Sequence, residues 1–398
     1  MLKGLLRLAP YAAALFTLIS AAHAEDGRRV FTGTLGKTPI VVELNTTQPD
    51  EVNGRYFYEK YHRDLALSGS LHESTLTLVE GENRYGEDEP LPTLKLEETG
   101  NGWQGEWQSP QGKKLPVKLA EAKLPAPTSM TLPFIATLPQ SAPYEYLRLQ
   151  GLKLKPAKKE NFMGYDLQWW TEPESKISLF SVESGLPKDD LQRVNQQLLG
   201  RLWREVISYH GCLLQGGVNT DFMQQAEPKM ISPAVVSLNI STSYYCGGAH
   251  PDFGDSPLNL DVRTGHTLSL ADVLWVGAGK PLSHADRDST GDQPLSASES
   301  EAYSTYQREV LVPWLIKQFT TLYPNEMKKP AEDDDNACDY SDESIWGYSP
   351  WYFTAKGLYL GPYFARVARA CDAPDWSILP YSVVKQHPGA VKLQLPQG

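Results

Sequence analysis

The chain has 398 residues, and its 37 basic and 48 acidic side chains give a formal net charge of −11. This length is sufficient for two or three domains. An acidic surface disfavours nucleic acid and anionic lipid as partners and favours a cationic partner, although negative charge also keeps an exported protein soluble.

Residues 1–24 have the three parts of a cleavable signal peptide. Lys3 and Arg7 precede an apolar run of 12 residues at 8–19, and Ala22-His23-Ala24 has the small residues of a cleavage site. A spanning helix needs about 20 apolar residues, so this run is too short for a membrane anchor. We therefore predict cleavage after Ala24 and a periplasmic or secreted protein without a membrane anchor. The loss of Lys3 and Arg7 changes the net charge to −13.

Residues 25–121 are predicted to form an all-β domain. Apolar residues alternate with polar ones in several short runs that are separated by glycine-containing turns, which predicts an antiparallel meander or a small barrel. A weak repeat places Gly33, Gly69 and Gly105 at a spacing of 36 residues. We interpret it as a repeated hairpin unit, with coincidence as the alternative.

Residues 122–145 contain five prolines and are predicted to be a linker between domains. An α+β domain is predicted to follow at 146–230. Two runs rich in apolar residues predict strands near 146–154 and 165–182, ahead of the first long helix.

That helix is predicted to begin at Pro187, since proline is favoured at the first helical position. Asp189 and Asp190 lie in the first turn, where the helix dipole favours negative charge. Gly211 is predicted to end the helix. Apolar residues recur between these points at helical spacing and indicate a core-facing stripe: Leu191, Val194, Leu198, Leu199, Leu202, Trp203, Val206 and Ile207.

The last predicted domain spans 231–398. Strands are expected at about 226–246 and 257–262, and a second helix at about 298–322. Pro313 should kink that helix or split it in two. A hairpin is predicted at 351–360 and a final strand near 391–395. The predicted fold class is therefore α+β, with two main helices packed on antiparallel sheet after the β domain.

Four cysteines, Cys212, Cys246, Cys338 and Cys371, remain in the exported chain. An even number in an oxidising compartment predicts two disulfides. Of the three possible pairings we favour the one between sequence neighbours, Cys212–Cys246 and Cys338–Cys371. Zinc is the alternative, but the chain has no C-x-x-C or H-x₃₋₅-H pair.

Enzyme and cofactor motifs are incomplete. His72-Glu73 begins a zinc-protease motif that lacks its second histidine, and Gly347-Tyr348-Ser349 begins a nucleophile elbow that ends in Trp351. Asp286–Gly291 resembles the start of a calcium loop but has Ala297 at the position of the required glutamate. We predict no catalytic residue, cofactor or metal from these motifs.

An acidic stretch, Glu332 to Glu343, includes Cys338. Charge runs of this kind are usually solvated loops. The alternative is that the Cys338 disulfide holds the loop against the fold and presents it to a basic partner.

The segment around His250 is the best candidate for a site. Two glycines and Pro251 could hold the imidazole in one orientation. The candidate binding residues are Tyr245, Gly247, Gly248, His250, Asp252 and Tyr363. A hydrolase that pairs His250 with Asp252 or Asp255 is a further hypothesis, and a tight loop with a hydrogen-bonded histidine is the structural alternative.

The same segment, Tyr244 to Pro251, resembles the signature of the RsiV-like domain family. Leu258 to Asp261, Leu268 to Leu274 and the closing Pro362-Tyr363 are similar to it in the same order, so the resemblance covers about residues 146–385. Relatives of this domain occur in membrane anti-sigma factors that bind lysozyme and in the non-catalytic part of some peptidoglycan deacetylases. The resemblance implies a binding or sensing module of the cell envelope.

Three hypotheses follow. The first is a soluble extracytoplasmic binding protein whose ligand is a cationic protein such as lysozyme, or peptidoglycan. The second is a non-catalytic structural module of an envelope complex that docks through its β domain. The third is the hydrolase that uses His250.

Overall fold

The computed structural model describes residues 27–83, 89–282, 296–331 and 337–396. An eight-stranded barrel comes first, and three sheets with helices packed on them follow. The predicted α+β class is therefore confirmed. The signal peptide at 1–24, the calcium-like segment at 286–291 and the acidic run at 332–335 lie outside the described residues.

The barrel runs up and down, with each strand antiparallel to the next, and it closes where β1 pairs with β8. Closure leaves no strand edge unpaired. The strands are β1 (Arg28–Leu35), β2 (Thr38–Asn45), β3 (Val52–Tyr58), β4 (Asp64–His72), β5 (Thr75–Glu80), β6 (Thr93–Thr99), β7 (Gly102–Gln108) and β8 (Lys114–Glu121).

Inward-facing apolar side chains fill the barrel. Ten of the eleven residues around its centre are aliphatic, and Tyr56 is the eleventh. They leave a cavity of about 10 Å³, which is room for one water at most. The barrel is thus a packed core, and any ligand-binding surface lies on its outside.

The glycine repeat does not mark a hairpin unit, because Gly33, Gly69 and Gly105 lie on β1, β4 and β7, three strands apart. A Cβ atom on any of them would lie 1.9–2.0 Å from a carbonyl oxygen of the neighbouring strand. These glycines therefore allow close backbone approach where the strands bend around the barrel.

Residues 133–151, which we predicted to be linker and strand, form two short helices, α1 (Pro133–Ser141) and α2 (Pro143–Gly151). Each has a proline in its first turn, where the missing N–H has no helical partner to lose. The buried side chains of Tyr144 and Tyr146 hold α2 in place. Because α2 extends to Gly151, the strand prediction at 146–154 is wrong.

The part of the chain after α2 forms two sheets, which are connected by one long helix, α3 (Lys188–Gly216). Its stripe of Val194, Leu198, Leu202 and Val206 is fully buried, as the periodicity predicted. The strands of these two sheets are β9 (Lys155–Phe162), β10 (Tyr165–Thr171), β11 (Ser178–Val182), β12 (Asp221–Ile231), β13 (Val235–Tyr245), β14 (Asp252–Asp255) and β15 (Leu258–Asp261).

Gly211 does not end α3, which continues for five more residues. The helix ends at Gly217, whose φ of 58° favours glycine. The prediction was wrong because glycine inside a helix lowers stability without breaking hydrogen bonds, and packing of the apolar stripe compensates.

The C-terminal layer carries a second core around Phe319, Trp346 and Leu379. The second long helix is not split at Pro313, because the residues at both junctions keep helical dihedral angles. A π-helical segment at 307–311 instead interrupts the α-helical hydrogen bonding just before the proline. The elements are α4 (Leu270–Val273), α5 (Ala297–Tyr306), α6 (Val312–Leu322), β16 (Trp351–Phe353), β17 (Gly357–Leu360), β18 (Ile378–Pro380), α7 (Tyr381–Val384) and 3₁₀ turns at Glu343–Trp346 and Arg366–Cys371.

The predicted hairpin at 351–360 is confirmed as β16 and β17. The final strand predicted near 391–395 is wrong, because β18 takes the third place in that sheet. Val391, Leu393 and Leu395 instead pack on the core without strand pairing.

Both disulfides join the predicted partners. Cys212 on α3 pairs with Cys246 after β13, with the Cα atoms 4.6 Å apart. Cys338 pairs with Cys371, with the Cα atoms 5.6 Å apart. No helix within the described ranges is long and apolar enough to cross a membrane.

The barrel docks on α2 through a buried ionic cluster. The Arg148 guanidinium lies 2.7 Å from Asp64 of β4 and 2.8 Å from Glu145, and it also donates to the carbonyl of His62. Arg55 of β3 lies 3.0 Å from Glu145. Since the partners come from both parts of the chain, the cluster fixes the orientation of the barrel.

Candidate functional site

Two cavities of the described residues flank the short strand β14. One, here called the sheet-face cleft, has a volume of about 820 Å³, and the other, the helix-side cleft, about 580 Å³. They have six lining residues in common: Thr242, Phe253, Gly254, Asp255, Ser256 and Tyr363. The two clefts therefore form one concave region around β14.

Strand alternation places successive side chains of β13 and β14 on opposite faces of the sheet. Ser243 pairs with Phe253, and Ser241 pairs with Asp255, so these side chains lie on the face of the sheet-face cleft. Tyr244 and its partner Asp252 lie on the opposite face, with the last turns of α3.

Arg369 is the organising side chain of the sheet-face cleft. Its guanidinium lies between the rings of Phe253 and Tyr363, 4.6 Å from each centroid, and donates to the Phe253 carbonyl. It lies 2.6 Å from Asp372 and 3.6 Å from Asp252. These contacts hold the arginine in one position before any ligand arrives.

The carboxylates of Asp372 and Asp252 lie near this arginine, and a third carboxylate, that of Asp255, lines the same cleft. Carboxylates therefore outnumber the arginine in this region. The Asp255 carboxylate accepts a hydrogen bond from the Ser241 hydroxyl at 2.5 Å. Burial raises the pKa of Asp372 against the opposing effects of the Phe364 N–H and of Arg369. Burial also raises the pKa of Tyr352, and Asp255 adds to that rise through its negative charge.

Exposed aromatic rings form the walls. Tyr348 is 78% exposed, Tyr363 49% and Phe253 46%, and all three line the sheet-face cleft. Large exposed aromatic side chains in a concave site provide contact area for a ligand at little conformational cost. Together with the carboxylates, they can hold a cation that has an apolar stem.

Two of the six predicted site residues line the clefts: Asp252 lines the helix-side cleft, and Tyr363 lines both. Tyr245 ends β13, and Gly247, Gly248 and His250 lie in the loop that leads from it into β14.

The backbone conformation of this loop requires glycine. Gly247 has a φ of 89°, and a Cβ on it would lie 2.9 Å from the Gln215 carbonyl oxygen. The Tyr245 hydroxyl donates to the Gly248 carbonyl at 2.9 Å. The Gly-Gly pair therefore lets the loop close over the end of α3, next to the Cys246 disulfide.

His250 lies on the exposed side of this loop. Its Nδ1 is 3.2 Å from the carbonyl oxygen of Pro251, and the residue lines neither cleft. Asp255 is hydrogen-bonded to Ser241 instead. Neither cleft therefore joins His250 with Asp252 or Asp255.

Sequence reasoning missed Arg369, Asp372, Tyr348 and Phe253. Arg369 is 117 residues after Asp252 and joins it only through the tertiary fold. Only its position two residues before Cys371 distinguished it in the sequence. Within the described ranges, no group of three His, Cys, Asp or Glu side chains could hold a metal ion.

Comparisons with known proteins add little. No family model matches the sequence, and no curated protein matches it. The solved structures that it resembles include a member of the DUF3298 family from Bacteroides fragilis, at 11% identity and a TM-score of 0.31, over 60% of this chain and 94% of that one. Likeness at this level does not establish a shared fold. The resemblance to the RsiV-like family therefore stays a prediction.

Proposed function

We propose that the protein is an extracytoplasmic binding protein that recognises a basic protein, such as a lysozyme-like cell-wall hydrolase, through the clefts beside β14. The observation that carries this proposal is the composition of the sheet-face cleft. Asp255, Asp372 and three exposed aromatic rings line it together with Arg369, and Asp252 lies 3.6 Å from that arginine. The signal-peptide pattern and the two disulfides support the compartment.

A lysine or arginine side chain of the partner fits this chemistry. Its apolar stem can lie against Tyr348 and Tyr363, and its charged head can reach Asp255. The Asp255 carboxylate can accept further hydrogen bonds beside the one from Ser241, and a charge-assisted bond is about twice as strong as a neutral one.

The negative net charge of the whole chain also favours a basic partner. A net charge of −13 after removal of Lys3 and Arg7 attracts a basic partner over a distance comparable to the Debye length. Such attraction mainly raises the association rate, and added salt weakens it.

The test is a titration of the mature chain with purified lysozyme at low and at moderate salt. We expect the chain to bind lysozyme at low salt, and we expect the association rate to fall as salt is added. Asp255→Asn preserves shape and the contact with Ser241 but removes the charge, and it should weaken binding by about tenfold.

Asp189→Asn is the matched control. It removes the same charge from the first turn of α3, about 33 Å along the helix from Gly211, and should leave lysozyme affinity unchanged. Equal effects of the two substitutions would show attraction by net charge alone and contradict a site at β14. Retention of purified peptidoglycan without binding of lysozyme would favour the saccharide ligand instead.

A further inference from the structure

A third cleft lies between the barrel and α3. This barrel–helix cleft has a volume of about 600 Å³ and is lined by β1 to β4 on one side and by Gly211, Leu214 and Gln215 on the other. Gly211 and Gln215 also line the helix-side cleft. Only the last turns of α3 therefore separate the barrel from the clefts beside β14.

The three clefts consequently form one continuous surface. It begins on the barrel, crosses α3 at Gly211, passes β14 and ends at Tyr348. A stable protein interface covers about 800 Å² on each partner, which is more than one such cleft provides. The continuity therefore fits a folded protein better than a small molecule.

Gly211 is the unusual residue of this surface. Glycine is among the least favourable residues inside a helix. A Cβ atom at Gly211 would have no atom within 4 Å, so packing within the chain does not require glycine there. At Gly216, by contrast, a Cβ would lie 2.4 Å from the Thr220 hydroxyl oxygen and 3.0 Å from Cys246. A local disadvantage without an internal reason marks a functional position.

Resting on the proposed function, we propose that the basic partner crosses α3 at Gly211, with its chain against the bare helix surface, and contacts the barrel as well as β14. The barrel side is polar, since Glu43 lies 3.4 Å from Arg28 and 3.2 Å from Arg55, and Glu82 is exposed at its rim. The barrel is thus the second half of the binding surface.

The test measures stability and lysozyme affinity on the same variants of the mature chain. Gly211→Ala should raise the urea midpoint of unfolding, because alanine is the better helix former, and should weaken binding. Gly211→Gln adds a longer side chain to the crossing point and should weaken binding further, by about tenfold or more.

A charge reversal on the barrel provides the second variant. Glu82→Lys should weaken lysozyme binding, whereas Glu98→Lys, with the same charge change on β6 across the barrel from the cleft, should weaken it less. Far-ultraviolet circular dichroism checks that each variant is folded.

The outcomes separate the two proposals. Wild-type affinity in folded Gly211→Gln, or equal effects of Glu82→Lys and Glu98→Lys, would overturn the crossing at α3, while a loss in Asp255→Asn would still support the site at β14. A urea midpoint lowered by Gly211→Ala would show that the glycine serves packing and would likewise overturn the inference. Failure of the unaltered chain to bind lysozyme would overturn both proposals.

Discussion

Two buried arginines of this protein have nearly the same kinds of partner, but only the second has exposed neighbours. Arg148 lies 2.7 Å from Asp64 and 4.6 Å from the ring centroid of Phe57. Arg369 lies 2.6 Å from Asp372 and 4.6 Å from the ring centroid of Tyr363. Each therefore combines carboxylates with aromatic faces.

The difference is what covers them. Arg148 lies on α2 at its junction with the barrel, and neither its side chain nor that of Asp64 is exposed. Around Arg369 the neighbours stay open, since the Asp252 side chain is 40% exposed and Tyr363 is 49% exposed. The same residue types thus join two parts of the chain in one place and present a surface in the other.

The largest expected effect comes from breaking the closed cluster. Arg148→Met leaves Asp64 and Glu145 buried with a reduced positive charge and should lower the free energy of unfolding by about 3–5 kcal/mol. Urea unfolding measures this value. Arg308→Met is the control, since Arg308 is exposed and should cost less than about 1 kcal/mol. Similar costs for the two variants would refute the structural role of Arg148.

The pH dependence gives the second effect. His210 is buried beside this cluster, and burial, followed by the charges of Arg148 and His62, lowers its pKa from 6.5 to about 2. The folded chain therefore leaves His210 neutral while the unfolded chain binds a proton below pH 6.5. The resulting loss of stability is about 1.4 kcal/mol for each pH unit below that value, and it continues until the folded pKa is reached.

His210→Leu should remove this part of the acid sensitivity, so that its urea midpoint falls less between pH 7 and pH 5 than that of the wild type. His72→Leu, at an exposed position, should leave the pH dependence unchanged. If the two variants follow the same pH curve, His210 does not stay neutral in the fold.

A smaller effect is expected at the open cluster. Arg369→Met loses the contacts with Phe253 and Tyr363, but Asp252 can recover water because the cleft is open. We expect a cost of about 1–2 kcal/mol in urea unfolding, below that of Arg148→Met. If Arg369→Met lowered the free energy of unfolding as much as Arg148→Met, the two clusters would not differ in their contribution to stability.

The smallest effect is expected for Asp252→Asn. The Asp252 carboxylate is 3.6 Å from Arg369 and 40% exposed, so its removal should change the free energy of unfolding by less than about 1 kcal/mol. Thermal unfolding of Asp252→Asn beside the wild type checks this value. A larger loss would mean that the β14 region depends on this ion pair for folding.

The local elements that the sequence predicted correctly depend on neighbouring residues. Alternation in the barrel strands and the stripe on α3 record which face is buried. Pro313 lacks the N–H that a regular helix needs, so an irregularity near it was readable from one residue. The structure meets this need with a π-helical segment rather than with a split. The errors at 146–154 and at Gly211 arose where packing outweighed local preference.

The candidate site was predicted only in part. The pattern around His250 lies next to β14, whose first residue is Asp252, and Tyr363 lies across the cleft. The pattern did not show that His250 faces away from the clefts, or that Arg369 and Asp372 complete the site. Those facts depend on how distant segments meet.

By itself, the sequence determined the α+β class, the long helix, the irregularity near Pro313 and the pairing of the cysteines, because each follows from short-range pattern or from sequence proximity. The tertiary structure decided the closure of β1 on β8, the burial of Arg148 and the continuity of the clefts across Gly211. These features join residues far apart in the chain, and their stability comes from packing between elements, which no local pattern encodes.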